Sequence, residues 1–172
     1  MLIRDATRAD LPGILAIYND VIATSTAVYA LEPVGLAEHT AWFEARIGAG
    51  YPVLVADAQG AVAGFASFGD WRGLWPGYRY TVEHSVHVAA DRRGAGIGRQ
   101  LTETLFERAA ALGKHVMIGG IDADNAASLR FHEQLGFERV AHFREVGHKF
   151  GRWLDLIFVQ RWLDAPGAAR PS

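Results

Sequence analysis

Two periodicities of apolar residues alternate along the chain and predict its secondary structure. In four segments the apolar residues recur every three or four positions, which is the spacing of a buried helix face. The predicted helices cover residues 11–22, 36–47, 96–112 and 126–135. Shorter apolar runs bounded by turn residues predict strands instead. The predicted strands cover residues 2–5, 53–57, 61–69, 81–89, 115–121, 137–146 and 153–162.

The order of these elements, β-α-α-β-β-β-α-β-α-β-β, indicates the fold class. It is typical of an α/β or α+β fold, in which helices cover both faces of one mixed sheet. Ala58-Gln59-Gly60 predicts a hairpin turn between two strands. Asn125 is a suitable N-cap for the last helix, and Gly136 a suitable C-terminal cap. Residues 70–80 are aromatic but interrupted by glycine and proline, so they predict a loop.

Length and composition narrow the class of protein. The chain has 172 residues, which predicts a single domain at residues 1–163 with a flexible tail at 164–172. It has no cysteine, which excludes disulfides and a cysteine nucleophile. Its net charge of −2 argues against a non-specific nucleic-acid partner. No segment resembles a signal peptide or a membrane span, so we expect a cytoplasmic protein without a membrane partner.

The most informative segment is Asp91-Arg92-Arg93-Gly94-Ala95-Gly96-Ile97-Gly98-Arg99, between a strand and the longest predicted helix. Glycines let the backbone turn its N–H groups toward a ligand, and a helix that begins there adds a positive dipole end. Three arginines add charge, so the segment favours a pyrophosphate site. Its spacing fits neither a Walker A loop nor a dinucleotide-binding fingerprint. A glycine-rich turn that binds no ligand is the alternative.

The same segment carries a resemblance to a known family. Arg93-x-x-Gly96-x-Gly98 resembles motif A of the GNAT N-acetyltransferase superfamily, which holds the pyrophosphate of acetyl-CoA. Downstream, Asn125-Ala-Ala-Ser128 followed by Leu135-Gly136-Phe137 resembles the superfamily's second motif. Further segments are similar to the phosphinothricin and methionine sulfoximine N-acetyltransferase branch. They are Ile17-Tyr-Asn-Asp, Gly69-Asp-Trp-Arg72, Thr81-Val-Glu83-His-Ser-Val-His-Val, His132-Glu133 and Gly147-His-Lys-Phe-Gly-Arg-Trp153-Leu-Asp155.

The resemblance covers residues 2–163 and carries expectations about fold and activity. It implies a GNAT fold, with a mixed, mostly antiparallel sheet of six to seven strands and about four helices. It implies direct transfer of the acetyl group, in a ternary complex, from acetyl-CoA to the α-amine of a small amino-acid analogue. Phosphinothricin, methionine sulfoximine and methionine sulfone are the expected acceptors, with detoxification or herbicide resistance as the role. A homodimer is the expected assembly.

The resemblance also implies which residues contact acetyl-CoA. In this family the strand before the glycine loop pairs with the pantetheine arm as if with another strand. The implied cofactor residues are Val86, His87, Val88, Arg93, Gly94, Ala95, Gly96, Ile97, Gly98, Arg99, Asn125 and Ser128. Asn125 is also explained as a plain helix N-cap, and the two roles are compatible.

Acetyl transfer to an amine needs a base, a donor to the thioester oxygen and a leaving thiolate. On a strand Glu83 shares one face with Ser85 and His87, and burial near aromatics would raise the pKa of its carboxyl toward neutrality. The residues alone leave a general base and a solvent-facing glutamate equally open. The resemblance implies that Glu83 is the general base, acting directly or through a water. The resemblance places the oxyanion donor at the backbone of Val88. At His132 many relatives carry tyrosine, so an acid, a positioning group and a packed histidine all stay open.

Substrate contacts are expected in the aromatic loop and on the catalytic strand. An arginine binds a carboxylate bidentately, and Arg72 is favoured over Arg79 as the clamp. The other predicted contacts are Gly73, Leu74, Glu83, His84, Ser85 and, as a wall of the site, Tyr29. Packing of this loop on a partner subunit is an alternative that is compatible with substrate binding.

Two other kinds of function and a metal site were weighed against this prediction. The same fold would serve an acceptor such as a protein N-terminus, a polyamine or an aminoglycoside. A non-catalytic acyl-CoA sensor would keep the glycine loop and need no base. His84 and His87 point to opposite faces of a strand, and His132-Glu133 lacks the second histidine of a zincin motif. We therefore predict no metal.

Overall fold

A computed structural model describes residues 1–163, and the elements occur in the predicted order. The strands are β1 (Leu2–Asp5), β2 (Val53–Ala58), β3 (Ala61–Asp70), β4 (Thr81–Val88), β5 (Val116–Asp122), β6 (Glu138–Lys149) and β7 (Arg152–Trp162). The helices are α1 (Leu11–Thr24), α2 (Leu36–Gly48), α3 (Ile97–Ala111) and α4 (Ala126–Gln134). The predicted tail, residues 164–172, lies outside the described residues.

The seven strands form one sheet in the order β1-β2-β3-β4-β5-β7-β6. Every neighbouring pair is antiparallel except β4 and β5, which run parallel. The predicted mixed, mostly antiparallel sheet with about four helices is therefore confirmed. Among the described residues no helix is both long and apolar enough to cross a membrane.

The helices bury two separate cores on the two faces of the sheet. Alternate residues of a strand point to opposite faces, so Val53 and Val55 pack with α1 and α2. Leu54 and Ala56, one position along, pack with α3 and α4 instead. Both sets of side chains are fully buried. The central strands are thus apolar on both faces, which explains their continuous apolar runs in the sequence.

Where β4 and β5 separate, the sheet opens. Their pairing covers three positions and ends at Glu83 opposite Ile118. Beyond this point β5 continues to pair with β7 as far as Asp122, while β4 continues to pair with β3 as far as Val88. The edge of β4 that faces β5 therefore has no strand partner after Glu83 in the described chain. This opening positions the candidate site.

The last hairpin is longer than the periodicity predicts. β6 reaches Lys149, three residues beyond the predicted end at 146. Its register with β7 shifts between Phe143 and Gly147, where Glu145 has a φ of 53°. A bulge of this kind interrupts the alternation of apolar residues while the backbone pairing continues beyond it. The sequence pattern therefore ends before the strand does.

An ion-pair cluster joins the first strand to the first helix. Arg4 donates two hydrogen bonds to the carboxylate of Asp10, at 2.8 and 2.9 Å, and a third to Asp57 on β2 at 3.0 Å. The backbone N–H of Thr7 donates to the same Asp10 carboxylate at 2.7 Å. These hydrogen bonds lower the pKa of Asp10 from 3.8 to about 2, and the bond from the guanidinium of Arg4 contributes most. The carboxylate therefore stabilises the fold in its charged form.

We expect Asp10→Asn to lower the free energy of unfolding at neutral pH by about 2 kcal/mol, because the bidentate pair is lost. The folded pKa of Asp10 lies below its unfolded value, so this contribution is complete above about pH 4 and is lost toward pH 2. Urea unfolding of both proteins across this range measures the difference. Asp5→Asn, which removes an exposed pair with Arg108, is the matched control. A pH-independent difference no larger than the control's would contradict the assignment.

Candidate active site

One large cavity, of about 940 Å³, lies at the opening between β4 and β5. Its walls come from both faces of the sheet. On one side are the connection between α1 and α2 and the face of α2. On the other are α4 and the glycine loop before α3, with β4 and β5 between them. A molecule in the cavity would thus contact the glycine loop and Glu83 at once.

The glycine loop forms the predicted turn into a helix. Gly94 and Gly96 adopt φ values of 79° and 77°, a left-handed conformation that other residues adopt only at a cost. Gly96 is the N-cap of α3, so the helix begins at Ile97. The N–H groups of its first turn have no acceptor within the helix and carry the positive end of its dipole. This end of the cavity is suited to a phosphate group.

Arginines surround this loop. Arg92, Arg93 and Arg99 all line the cavity. The Nε of Arg93 donates to the carbonyl of Val88 at 3.3 Å, which ties the loop back to the end of β4. Arg99 pairs with Glu103 one turn along α3, at 3.1 Å. Of the predicted loop residues, Gly94, Gly96, Ile97 and Gly98 line the cavity and Ala95 does not.

Glu83 lies where the pairing of β4 with β5 ends, and its side chain is accessible from the cavity. Its neighbours across the sheet are small: Gly69 is opposite on β3, and a Cβ on Gly120 of β5 would lie in contact with Oε1. Partial burial raises the pKa of Glu83 above its ordinary value, and the guanidinium of Arg46 opposes this shift. A carboxylate with a raised pKa and open space above it is suited to accept a proton.

The predicted alternation along β4 is observed. Ser85 lines the cavity, and His87 on the same face contacts the rings of Tyr18 and Phe65. Burial lowers the pKa of His87 to about 4. Val86 and Val88 pack toward the core under α3 and α4, and both also line the cavity.

His84 points toward α4 and is buried. Its ring stacks on Phe137 at 5.2 Å and lies 5.2 Å from the ring of His132. Neither ring nitrogen has a hydrogen-bond partner among the described residues. Burial lowers the pKa of His84 to about 3, so the ring is neutral at physiological pH. It lines the cavity on the face opposite Glu83.

His132 has one ring nitrogen fixed by its own helix. Nδ1 lies 2.7 Å from the carbonyl oxygen of Ser128, which is only an acceptor, so Nδ1 carries the proton. Burial lowers the pKa of His132, which favours the neutral ring. In that tautomer Nε2 holds a lone pair. The geometry therefore suits His132 as a hydrogen-bond acceptor better than as an acid.

Asn125 caps α4 as predicted. Its Oδ1 accepts a hydrogen bond from the backbone N–H of Ser128 at 3.0 Å. Both residues line the cavity beside the glycine loop. The N-cap role explains why asparagine occurs at this position. Because Asn125 also lines the cavity, the predicted contact with the cofactor stays a prediction.

The aromatic loop lies outside the cavity of the single chain. None of its predicted substrate residues, Arg72, Gly73, Leu74 and Arg79, lines it. The guanidinium of Arg72 lies 5.0 Å from the ring of Trp75. That of Arg79 lies 4.4 Å from the ring of Tyr80. The loop folds on its own aromatic rings, so a clamp at Arg72 is not formed within one chain.

Tyr29 also lies behind the cavity wall instead of in it. Its hydroxyl donates to the carbonyl of Asp155 at 3.0 Å, and its ring packs on Gly147. Its neighbours Ala27 and Val28 line the cavity. Tyr29 thus supports the wall that it was expected to form.

Several lining residues are not among the predicted site residues. They are Tyr18, Trp42, Arg46, Gly119, Gly120, Asp122 and Phe131. Two adjacent glycines within a strand indicate close approach of another group, and Gly119-Gly120 was open to that interpretation. The position of Arg46 depends on how α2 packs on the sheet, which the sequence of the helix does not show. Among the described residues no group of three or more His, Cys, Asp or Glu side chains could hold a metal.

Lys149 holds the segment 25–29, of which Ala27 and Val28 line the cavity. Its Nζ is buried and donates to the carbonyls of Ile22, Ser25 and Val28, at 2.6, 2.9 and 2.8 Å. These carbonyls lie at the end of α1 and just beyond it, where helix acceptors are unsatisfied. Thr26 in the same segment donates to the carboxylate of Asp122 on β5. One ammonium group therefore shapes the connection that closes the cavity.

The chain is similar in sequence to proteins of one known family. A model described as the acetyltransferase (GNAT) family matches residues 14–137. The chain is 56% identical to an L-methionine sulfoximine/L-methionine sulfone acetyltransferase of Pseudomonas paraeruginosa, over 97% of each chain.

Solved structures agree on the fold and differ in the substrates that they name. A phosphinothricin acetyltransferase of Sinorhizobium meliloti, in complex with acetyl-CoA, is 38% identical with a TM-score of 0.92, over 99% of this chain and 92% of that one. A ribosomal-protein-alanine N-acetyltransferase of Brucella melitensis is 48% identical with a TM-score of 0.92, over 94% of this chain and 99% of that one.

We expect Lys149→Met to lower the free energy of unfolding by about 1–3 kcal/mol, because one buried and two partly buried carbonyls lose their donor. Amide hydrogen exchange should accelerate most in residues 22–29. The matched control is Lys114→Met, since Lys114 donates to Arg79 and Tyr51 elsewhere in the fold. Equal acceleration of residues 22–29 in both variants would show that Lys149 does not hold this wall.

Proposed function

The chain belongs to the GNAT acetyltransferase family and is an N-acetyltransferase, and we propose that its acceptor is the α-amine of methionine sulfoximine or methionine sulfone. Phosphinothricin, for which a similar solved structure is named, is a further proposed acceptor. The observation that carries the proposal is the arrangement along β4. Glu83 lies at one end of the unpaired edge, and the glycine loop lies at the other. A proton acceptor and a phosphate site thus share one cavity.

The residues present fit acetyl-CoA. The first turn of α3 and the arginines beside it form an anion site for the phosphates. The unpaired edge of β4, at Val86, His87 and Val88, offers backbone groups to an amide-bearing arm in the manner of an added strand. Asn125 and Ser128 line the wall beside the glycine loop. When bound, acetyl-CoA supplies the activated acetyl group.

The chain's own groups then orient the acceptor and remove its proton. Glu83 accepts the proton of the acceptor ammonium, directly or through a water, because its carboxylate is open to the cavity. The backbone N–H of Val88 donates to the thioester oxygen. His132 positions a bound reactant by accepting a hydrogen bond at Nε2, because its proton is on Nδ1. Holding both reactants in one cavity lowers the barrier further.

A homodimer is part of this proposal. The aromatic loop and the last hairpin form a continuous apolar surface, because Trp71 and Phe143 both contact the ring of Phe158. Leu74 is 87% exposed and Trp153 is 63% exposed, which is unusual for such large apolar side chains. We assign this surface to a second copy of the chain. A cytoplasmic location and a role in detoxification stay predictions.

We expect thiol release from acetyl-CoA to be fastest with methionine sulfoximine and methionine sulfone in a panel of amines. The panel adds phosphinothricin, ordinary amino acids, a polyamine, an aminoglycoside and a short peptide with N-terminal alanine. The peptide matters because one similar structure is named for ribosomal-protein alanine. Turnover confined to the peptide or the polyamine would contradict the proposed amino-acid acceptor. Acetyl-CoA binding without turnover of any amine would favour a sensor.

We expect Glu83→Gln to lower kcat by about 10²- to 10⁴-fold, the usual contribution of a general base. In the unmodified protein kcat/KM should rise with pH through the pKa of Glu83, which burial holds above its ordinary value of 4.5. This rise should vanish in the variant, while a rise from the amine at higher pH remains. Glu44→Gln on the exposed side of α2 is the control. Full activity with an unchanged pH profile would exclude Glu83 as the base.

A further inference from the structure

Arg46, near the end of α2, places its guanidinium in the same cavity as Glu83. Its Nε is buried without a hydrogen-bond partner, and no hydrogen bond or ion pair joins the side chain of Arg46 to any described residue. Most of the other arginines of the described chain have a carboxylate or carbonyl partner, as Arg4, Arg93 and Arg161 do. The carboxylates of Asp70 and Glu83 act on this guanidinium only through space. A partly buried guanidinium without a hydrogen-bonded anion is costly, so its position favours a ligand.

A glycine on β3 makes room for this guanidinium. A Cβ at Gly69 would occupy the space that Nη1 and Cζ of Arg46 now fill. Gly69 has no positive φ, so the backbone itself does not require glycine there. The missing side chain instead lets Arg46 lie directly against the sheet. The strand is therefore built to receive the guanidinium at this position.

That position is beside the proposed base. Gly69 is the direct cross-strand partner of Glu83, and such partners hold their Cβ positions about 4.5–5.5 Å apart on one face. The guanidinium, which fills the Cβ position of Gly69, is thus a near neighbour of the Glu83 side chain. The two do not form an ion pair within the 4.0 Å limit that defines one. Both side chains line the cavity, so one bound molecule can contact both.

We propose that Arg46 binds the α-carboxylate of the amino-acid acceptor while Glu83 faces its α-amine. An α-amino acid carries both groups on one carbon, so the protein groups that bind them must be neighbours, as Arg46 and Glu83 are. A guanidinium binds a carboxylate bidentately, which fixes the orientation of the amine. The inference rests on the proposed amino-acid acceptor and replaces Arg72 as the clamp within one chain.

The main rival is a purely electrostatic role, in which Arg46 acts only through the pKa of Glu83. That role would affect every amine equally, whether or not the acceptor has a carboxylate. A clamp affects only acceptors that carry one. Methionine sulfone and its carboxamide differ in that group alone, so the pair separates the two roles.

We expect Arg46→Met to raise KM for methionine sulfone by about tenfold or more, the size of one lost charge-assisted contact. KM for methionine sulfone amide should stay within about twofold. The ratio of kcat/KM for the acid to that for the amide should fall by the same factor, and this comparison cancels the intrinsic difference in amine basicity. Affinity for acetyl-CoA, measured by calorimetry, should not change. Arg8→Met, which removes an exposed pair with Glu44, is the matched control.

Gly69→Ala supplies a second variant that leaves the charge in the protein. Its methyl group would displace the flexible end of Arg46 and leave the strand in place, so the acid-to-amide ratio should fall in the same way. An equal loss with acid and amide in both variants would overturn the clamp in favour of the electrostatic role. Unchanged kinetics with both acceptors in both variants would overturn it outright. If the unmodified protein acetylates neither acceptor, the proposed function fails, and that result is separate from either.

Discussion

The site depends on one feature of the sheet: the parallel pairing of β4 with β5 stops at Glu83 and Ile118. A strand pair that stops inside a sheet leaves backbone donors and acceptors without partners, and these groups need a substitute when buried. Both strands remain held by their other neighbours, β3 and β7, so the opening is permanent and does not unravel the sheet. The cavity follows from this geometry, and the carboxylate that we propose as the base lies where the ladder ends.

The two ends of the cavity have different electrostatic character because different elements build them. The glycine loop supplies unsatisfied N–H groups and arginines, so it favours several negative charges. The end near Glu83 combines one carboxylate with one guanidinium, Arg46, so it favours a small zwitterion. Between them lie neutral groups, including the uncharged ring of His84. This difference between the two ends suits a reaction of two substrates, because the polyanion and the zwitterion are attracted to different ends of the cavity.

Much of this arrangement could be predicted from the sequence, because it is encoded locally. Apolar periodicity determines the helices and strands, the glycines and arginines between 93 and 99 determine an anion-binding turn, and Asn125 determines a helix cap. The contribution of Arg46 could not be predicted in this way. It needs α2 to pack across β3 at Gly69, a contact between residues far apart in sequence. Arg72 lies outside the cavity of the single chain, and its loop sequence does not say which surface the loop covers.

The ammonium of Lys149 acts on the chain 127 residues earlier, at the carbonyl of Ile22. Loop closure over such a separation is slow compared with the formation of helices and hairpins. Synthesis proceeds from the N-terminus, so α1 and the residues after it emerge long before the final hairpin. The wall that Lys149 holds is therefore completed only when β6 and β7 have joined the sheet. The acceptor cavity acquires its shape as one of the last events of folding, so a nascent chain that already contains the glycine loop and Glu83 still lacks a finished site.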